Sequence, residues 1–423
     1  MIEQRRKIIQ AMAGGAALAA IGGCASIGGQ ARPRVVVIGA GFGGATAARY
    51  LRMWGEGRIA VDLVERGDRF VSCPLSNLVL AGSLQMADIG MGYDQLASRH
   101  GVRVIRDEAL AIDADKRQVR LASGTVLPYD RVIVSPGIDF SFEEIPGLAS
   151  ERARELIPHA WKAGPQTLAL RAQLRAMPDG GRFAIHIPKS PYRCPPGPYE
   201  RVCQVAAYLK QHKPRSKILV LDANPDIVSK KGLFTKAWNT LYPGMIEYLP
   251  NSELVDVDVA TRTAKLTFSE VRADVLNVIP PQKAAAIATP FITANKRWCE
   301  TDWLSCESKA AKNVHIIGDA TLSAPAMPKS GHMANQHGHL CAESVLALLT
   351  GRPLPQAPII TNTCYSFVSD AQAVHVASVH RYDAAKATFT AVEGSGGVSP
   401  DLNEPEAAAA RAWARNIWAD MFA

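Results

Sequence analysis

No CxxCH motif occurs anywhere in this 423-residue chain, so none of its 8 cysteines belongs to a c-type haem attachment site. Beyond the N-terminal segment no apolar run is long enough to cross a bilayer, which excludes an integral membrane segment from the mature chain. His332, His337 and His339 crowd one predicted helix start without an i,i+4 pair, so they do not make a metal site. The net charge is +8, and Arg5, Arg6, Lys7 and Glu3 account for +2 of it. The remaining excess is dispersed, with no Lys/Arg run and no interleaved aromatics, which favours an acidic protein partner over nucleic acid. A merely solvated surface explains it equally well. With 48% hydrophobic and 20% charged residues, the composition is that of an ordinary protein of two or three domains.

What is present begins with a leader. Arg5, Arg6 and Lys7 precede a weakly apolar, Gly/Ala-rich run at residues 8–23, too short and too rich in small residues for a spanning helix. Residues 1–31 read as an export signal, and the paired arginines resemble the twin-arginine type used by proteins that fold around a cofactor before crossing a membrane. The expected location is periplasmic. The segment IGGC at residues 21–24 also reads as a lipoprotein signal, with Cys24 acylated and the protein tethered to a membrane.

The most specific signal is RVVVIGAGFGGATAARYLRMWGEGRIAVDLVER at residues 34–66. An apolar strand meets a glycine turn, then a helix, then a strand ending in an acid. Gly39 permits the tight turn, Gly41 lets backbone approach a pyrophosphate, and Gly44 lets the helix pack on its strand. Glu65 lies where a carboxylate can accept hydrogen bonds from ribose hydroxyls. This is a dinucleotide-binding fingerprint. Strand-like runs at 102–105, 111–113, 118–121 and 126–127 follow, and YDRVIVSPG reads as a buried strand.

A second strand–loop–helix–strand unit begins near Gly181, with a helix at 199–212 and a strand at 217–222. Its turn reads IPKSPYRCPPGPYER. Pro195, Pro196 and Pro198 remove backbone donors and leave one glycine among them, which argues against a pyridine nucleotide. The strand NVHIIGDA returns to the first domain, a long helix follows, and the composition shifts after residue 353. The expected fold is α/β: two Rossmann-like dinucleotide-binding domains, the second lacking its glycine fingerprint, plus a C-terminal α+β interface domain. The boundaries are 32–150 and 281–353 for the first, 151–280 for the second and 354–423 for the third.

Among the cysteines, Cys299 and Cys306 are close enough for a local loop-closing bridge, whereas Cys203 and Cys341 fall in predicted helices as small buried thiols. Cys73, Cys194 and Cys364 sit beside turns or proline-rich sequence, where access to a site is expected.

Together these motifs resemble the flavoprotein subunit of flavocytochrome c sulfide dehydrogenase over nearly the whole chain. Gly39 to Gly44 with Glu65 matches the ADP-binding motif for FAD. VSCPLSN matches the segment whose cysteine, here Cys73, is joined to the flavin. YRCPPGPYE matches the loop of the first redox cysteine, Cys194, and TCYS the region of its partner, Cys364. IGDA resembles the second FAD motif, with Asp319 at the ribityl or phosphate region, and MPKSG, containing Lys329 and Ser330, opens a helix facing the flavin pyrimidine.

The resemblance implies a sulfide dehydrogenase. Sulfide would open a Cys194–Cys364 disulfide, electrons would pass to FAD, and Glu200 would hold or relay a proton. A haem would reside on a separate c-type cytochrome subunit. A structural staple between the two cysteines, and an exposed helix-start carboxylate at Glu200, are the alternatives. The wider family includes sulfide:quinone reductases, whose use of a quinone is the second enzymatic reading. A non-enzymatic flavin-binding electron carrier or assembly subunit is the third. The aromatic tail helix, with Trp413 and Ile417 at i,i+4 spacing, is expected to cover the flavin, as the resemblance implies, or to lie on a membrane as in quinone-using relatives, or to pack into the core; its few basic residues argue against the membrane.

Overall fold

A computed structural model describes residues 32–423, of which 34–423 form one compact unit. The leader and Cys24 lie outside the described residues.

Strand β1 (Arg34–Ile38) carries Val35, Val36 and Val37, all fully buried, as a parallel strand covered on both faces requires. The glycine turn follows, and then helix α1 (Phe42–Trp54) and strand β2 (Ala60–Glu65) complete the βαβ unit. Helix α2 (Ser76–Ala81) lies after the Cys73 segment. Strands β3 (Arg103–Arg106) and β4 (Arg131–Val134) then pair in parallel with β2 and β1. A small antiparallel meander fills the interval between them.

The second unit repeats the plan. Strand β5 (Arg182–Ile187), helix α3 (Gly197–His212) and strands β6 (Lys217–Asp222), β7 (Ile246–Leu249) and β8 (Val275–Val278) build a four-stranded parallel sheet in the order β7-β6-β5-β8. The chain then returns: β9 (Val314–Ile316) pairs with β4 and closes the first sheet as β9-β4-β1-β2-β3. Helix α4 (Gly331–Thr350) follows, with Ser330 capping it by accepting from the Met333 N–H. The last segment is antiparallel, with β10 (Ile359–Phe367), β11 (Ala373–Asp383) and β12 (Thr388–Ala391), and ends in helix α5 (Glu404–Phe422). Ile417, Trp418, Met421 and Phe422 of α5 are buried, so the tail's aromatic stripe packs into the core. Among the described residues no helix is long and apolar enough to cross a membrane.

The expected bridge between Cys299 and Cys306 does not form. All seven described cysteines are free thiols, and the Cys299 thiol turns to the Ala288 carbonyl at 3.4 Å. Cys306 lies instead beside Cys341 of α4, where the hydrogen bond from the Ser344 hydroxyl to the Leu304 carbonyl, 2.6 Å, holds the intervening loop on the helix. Sequence proximity misled here because the loop closes on a distant helix.

The glycines of the first turn are required by close approach. Gly39 has φ +91°, and a Cβ there would lie 2.5 Å from the Ser135 carbonyl oxygen. A Cβ on Gly44 would lie 1.9 Å from the Gly39 carbonyl oxygen, so α1 reaches the sheet only without a side chain. Gly44→Ala is therefore expected to cost at least the ~1–3 kcal/mol typical of overpacking. A lowered melting temperature together with lost flavin on purification is the expected result, read by thermal unfolding and the visible absorption spectrum.

Candidate active site

A cavity of about 600 Å³ runs from the β1–α1 turn to the C-terminal segment. Its size is ordinary for a cofactor pocket. Its lining takes in Gly39, Gly41 and Glu65 of the nucleotide turn, the group Cys194, Glu200 and Cys364, and also Cys73, Asp319 and Ser330. Trp413 of α5 and Tyr365 of β10 also line it, so the tail helix both packs in the core and closes the cavity.

The nucleotide turn has the shape its sequence predicted. A Cβ on Gly41 would meet no protein atom within 4 Å, so this glycine leaves backbone open towards the cavity it lines. No side chain caps the N-terminus of α1, whose first N–H groups remain available to an anion. Glu65 is fixed by two backbone donors, Ala40 N–H to Oε2 and Gly67 N–H to Oε1, each 2.8 Å, which leaves lone pairs on both oxygens. Gly44 does not line the cavity; it serves the close packing described above. These features fit the adenine-nucleotide half of FAD.

The three thiols nearest to turns are sorted from the rest. Cys73, Cys194 and Cys364 are half-buried, and the surface they keep faces the cavity, whereas Cys203, Cys299, Cys306 and Cys341 are buried elsewhere. Cys194 has φ +58° and donates its N–H to the Lys329 carbonyl at 2.8 Å. A Cβ on Gly197 would come 2.9 Å from the Cys194 sulfur, so that glycine makes room for the thiol rather than for a phosphate. The proline-rich loop thus occupies the topological position of a second nucleotide turn and presents sulfur instead.

Glu200 joins the thiol-bearing segments. Its Oε2 accepts from the Asn77 amide at 2.8 Å and its Oε1 from the Phe367 N–H at 2.9 Å. It is buried, not an exposed helix-start acid, and burial raises its pKa against the opposing effect of those hydrogen bonds, Lys230 and Arg201. Burial likewise raises the pKa of Asp319, opposed by Arg193 and Lys329. The Cys194 thiol is pushed far up by burial, then by Cys364 and Glu200, with Arg193 and Lys230 opposing.

Lys329 departs from expectation. It is not among the residues lining the cavity; its ammonium donates to the carbonyls of Asp319 (3.0 Å) and Thr321 and lies 3.9 Å from the Trp298 ring centroid. A buried ammonium takes the nearest carbonyls, so Lys329 braces the Asp319 turn. Of the three histidines at the start of α4, only His332 faces the cavity. His337 accepts from the Gly318 N–H, and His339 sits on Asp420 of α5 at 3.1 Å.

Three charged residues escaped the sequence reading: Arg193, Arg201 and Lys230. Arg201 is wholly buried, donating to Asn77, Asn277 and the carbonyls of His159 and Ala160. Lys230 donates to the Cys364 carbonyl (3.0 Å) and the Ser366 hydroxyl (2.8 Å). Nothing in the local sequence separates them from solvated surface charges, although Arg193 adjoins Cys194 and Arg201 adjoins Glu200.

Comparison with known proteins agrees with this geometry. Residues 33–166 match the model for pyridine nucleotide-disulphide oxidoreductases, residues 167–280 that for the central part of the sulfide dehydrogenase (flavocytochrome c) flavoprotein chain, and residues 356–422 that for the flavocytochrome c sulphide dehydrogenase flavin-binding region. The flavoprotein chain of sulfide dehydrogenase (flavocytochrome c) from Chlorobaculum thiosulfatiphilum is 56% identical over 46 residues, 11% of this chain and 94% of that sequence. The mitochondrial sulfide:quinone oxidoreductase of Mus musculus is 23% identical over 346 residues, 76% of this chain and 72% of that one. In fold, the sulfide:quinone oxidoreductase of Aquifex aeolicus superposes with a TM-score of 0.74 at 16% identity, covering 92% of this chain and 91% of the other. The glycine turn, the thiol-lined cavity and these matches lead to one conclusion: the chain belongs to the flavocytochrome c sulfide dehydrogenase flavoprotein family, FAD-binding oxidoreductases that act on sulfide.

Proposed function

We propose that this protein is the flavoprotein subunit of an exported, periplasmic sulfide dehydrogenase that oxidises sulfide to sulfane sulfur and delivers the electrons to a c-type cytochrome on a separate chain. The observation that carries this reading is the convergence of Cys73, Cys194 and Cys364 on the cavity that also holds the dinucleotide turn. The flavocytochrome c models matched at the central and C-terminal segments support the cytochrome as acceptor.

FAD, when bound, supplies a two-electron acceptor able to release electrons singly to a haem. The chain's own residues do the rest. Gly39, Gly41, Glu65 and the α1 N-terminus would hold the nucleotide, while Asp319 and Ser330 would hold the middle and ring regions. Cys73 would tether the flavin as a thioether, which suits a protein working where lost cofactor is not replaced. Cys194 and Cys364, free thiols in this structure, would exchange between dithiol and disulfide, and hydrosulfide would attack the disulfide at Cys194. Glu200, whose pKa burial raises, can hold a proton beside them.

Mixed anaerobically with sulfide, the flavin-loaded protein is expected to bleach and to re-oxidise faster with oxidised cytochrome c than with a soluble quinone. Quinone preference would make it a sulfide:quinone reductase, and retained flavin without bleaching would leave only an electron-carrier or assembly role. Cys194→Ser and Cys364→Ser should each keep FAD and lose sulfide-dependent bleaching. Cys73→Ser should release its flavin on acid precipitation, where the wild type retains it in the protein pellet.

Glu200 also leaves a stability signature. A carboxyl whose pKa is raised on folding contributes stability that is complete below the unfolded value of ~4.3 and is lost as pH rises through the folded value. The melting temperature of Glu200→Gln relative to wild type should therefore climb as pH is raised from acid to neutral. A difference that is flat across that range would show that Glu200 is not perturbed.

A further inference from the structure

Lys230 adopts a left-handed backbone (φ +54°) at the start of the helix Lys231–Leu241, and this turns its side chain inward. Only 7% of the residue is exposed. Its ammonium donates to two neutral oxygens, the Cys364 carbonyl at 3.0 Å and the Ser366 hydroxyl at 2.8 Å. Among the described residues it has no carboxylate within ion-pair distance. The groups facing it are the Cys364 and Cys194 thiols, Glu200 and, further off, Glu406. A buried cation without a paired anion is costly, and such an arrangement is normally kept where a negative charge arrives or develops.

We propose that Lys230 is the positioning cation of the sulfur exchange, holding the negative charge that arises on Cys364 when hydrosulfide opens the Cys194–Cys364 disulfide. This rests on the sulfide reading above. In the step, HS⁻ attacks the Cys194 sulfur and a new sulfur–sulfur bond forms as the Cys194–Cys364 bond breaks. Cys194 becomes a persulfide, Cys364 leaves as a thiolate, and the single negative charge passes from hydrosulfide to Cys364. The sulfide sulfur is oxidised to the sulfane level and the disulfide is reduced; the electron pair on Cys364 is then available to the flavin.

The two thiols are not equivalent towards this cation. The ammonium bonds the Cys364 carbonyl itself and the Ser366 hydroxyl two residues on. Burial and Glu200 raise both thiols; Lys230 is the foremost opposing effect at Cys364, whereas at Cys194 Arg193 precedes it. A thiolate is the better leaving group where its charge is met, which places the sulfane sulfur of this step on Cys194. Burial brings Lys230 itself down to about 8, with Cys364, Glu200, Cys194 and Glu406 opposing, so a thiolate arriving at Cys364 would keep the ammonium protonated.

The test compares wild type, Lys230→Met and Lys230→Arg as flavin-loaded proteins whose thiols have been reduced. Alkylation of Cys364 by iodoacetamide is followed against pH by peptide mass spectrometry, beside the pH profile of sulfide-dependent bleaching. In Lys230→Met the Cys364 alkylation profile should move to higher pH, and modification near neutral pH should slow about tenfold for every pH unit the profile moves. Cys73 should change little, the bleaching profile should move with Cys364, and Lys230→Arg should restore both. Ser366→Ala, which frees one of the ammonium's two anchors, should give a smaller displacement in the same direction and serves if Lys230→Met does not fold. An unmoved Cys364 profile in a folded, flavin-retaining variant would overturn the proposal. A profile that moves in a protein whose wild type never bleaches with sulfide would instead overturn the sulfide reading, and with it the role of Lys230 in the exchange.

Discussion

The Glu200 carboxylate is the point through which the three thiol-bearing stretches are held in one place. One oxygen takes the amide of Asn77, four residues beyond Cys73; the other takes the N–H of Phe367, three beyond Cys364; Glu200 itself lies six beyond Cys194. The three segments come from different parts of the chain, and without this acceptor a buried amide and a buried N–H would lose partners at ~1–3 kcal/mol each. The carboxylate is costly to bury as an ion, and the hydrogen bonds with nearby Lys230 and Arg201 offset that cost. Structure and chemistry therefore draw on the same group.

Around it the molecule repeats one architectural unit with two outcomes. In the first, β1 runs through Gly39 and Gly41 into α1, leaving N–H groups bare for phosphate. In the second, β5 runs through a proline-rich loop into α3, and the one glycine that remains, Gly197, accommodates the Cys194 sulfur. The same strand–turn–helix geometry delivers backbone dipoles in one case and a thiol in the other. The C-terminal segment completes the cavity from a third side, with Cys364 on β10 and Trp413 on α5.

Buried cations complete the arrangement. Arg201 is satisfied by four oxygens of three elements and behaves as a structural strut, and Lys329 braces the Asp319 turn through carbonyls. Arg201 also faces Glu200, Cys73 and Cys194, but its guanidinium is spread over Asn77, Asn277 and two carbonyls. Lys230 instead bonds the Cys364 carbonyl and the Ser366 hydroxyl of one strand, which puts it at the proposed leaving thiol.

The order of residues was enough to specify the dinucleotide turn, because Gly39, Gly41, Gly44 and Glu65 act within one βαβ unit whose geometry is local. It was also enough for β1, β2, β4, β5, β6 and β9, since runs such as RVVVI are largely buried on both faces and need no partner to be recognised, whereas β7 and β8 are not marked individually. The division of the cysteines into accessible and buried was legible from their turns and helices for Cys73, Cys194, Cys364, Cys203 and Cys341. It took the assembled fold to bring Cys306 to Cys341 and not to Cys299, to turn Lys329 from the cavity, and to carry Lys230 into the thiol site. These are contacts between residues far apart in the chain, fixed by which carbonyl, thiol or carboxylate the fold brings within reach of a buried group. Local pattern carries no record of that distance.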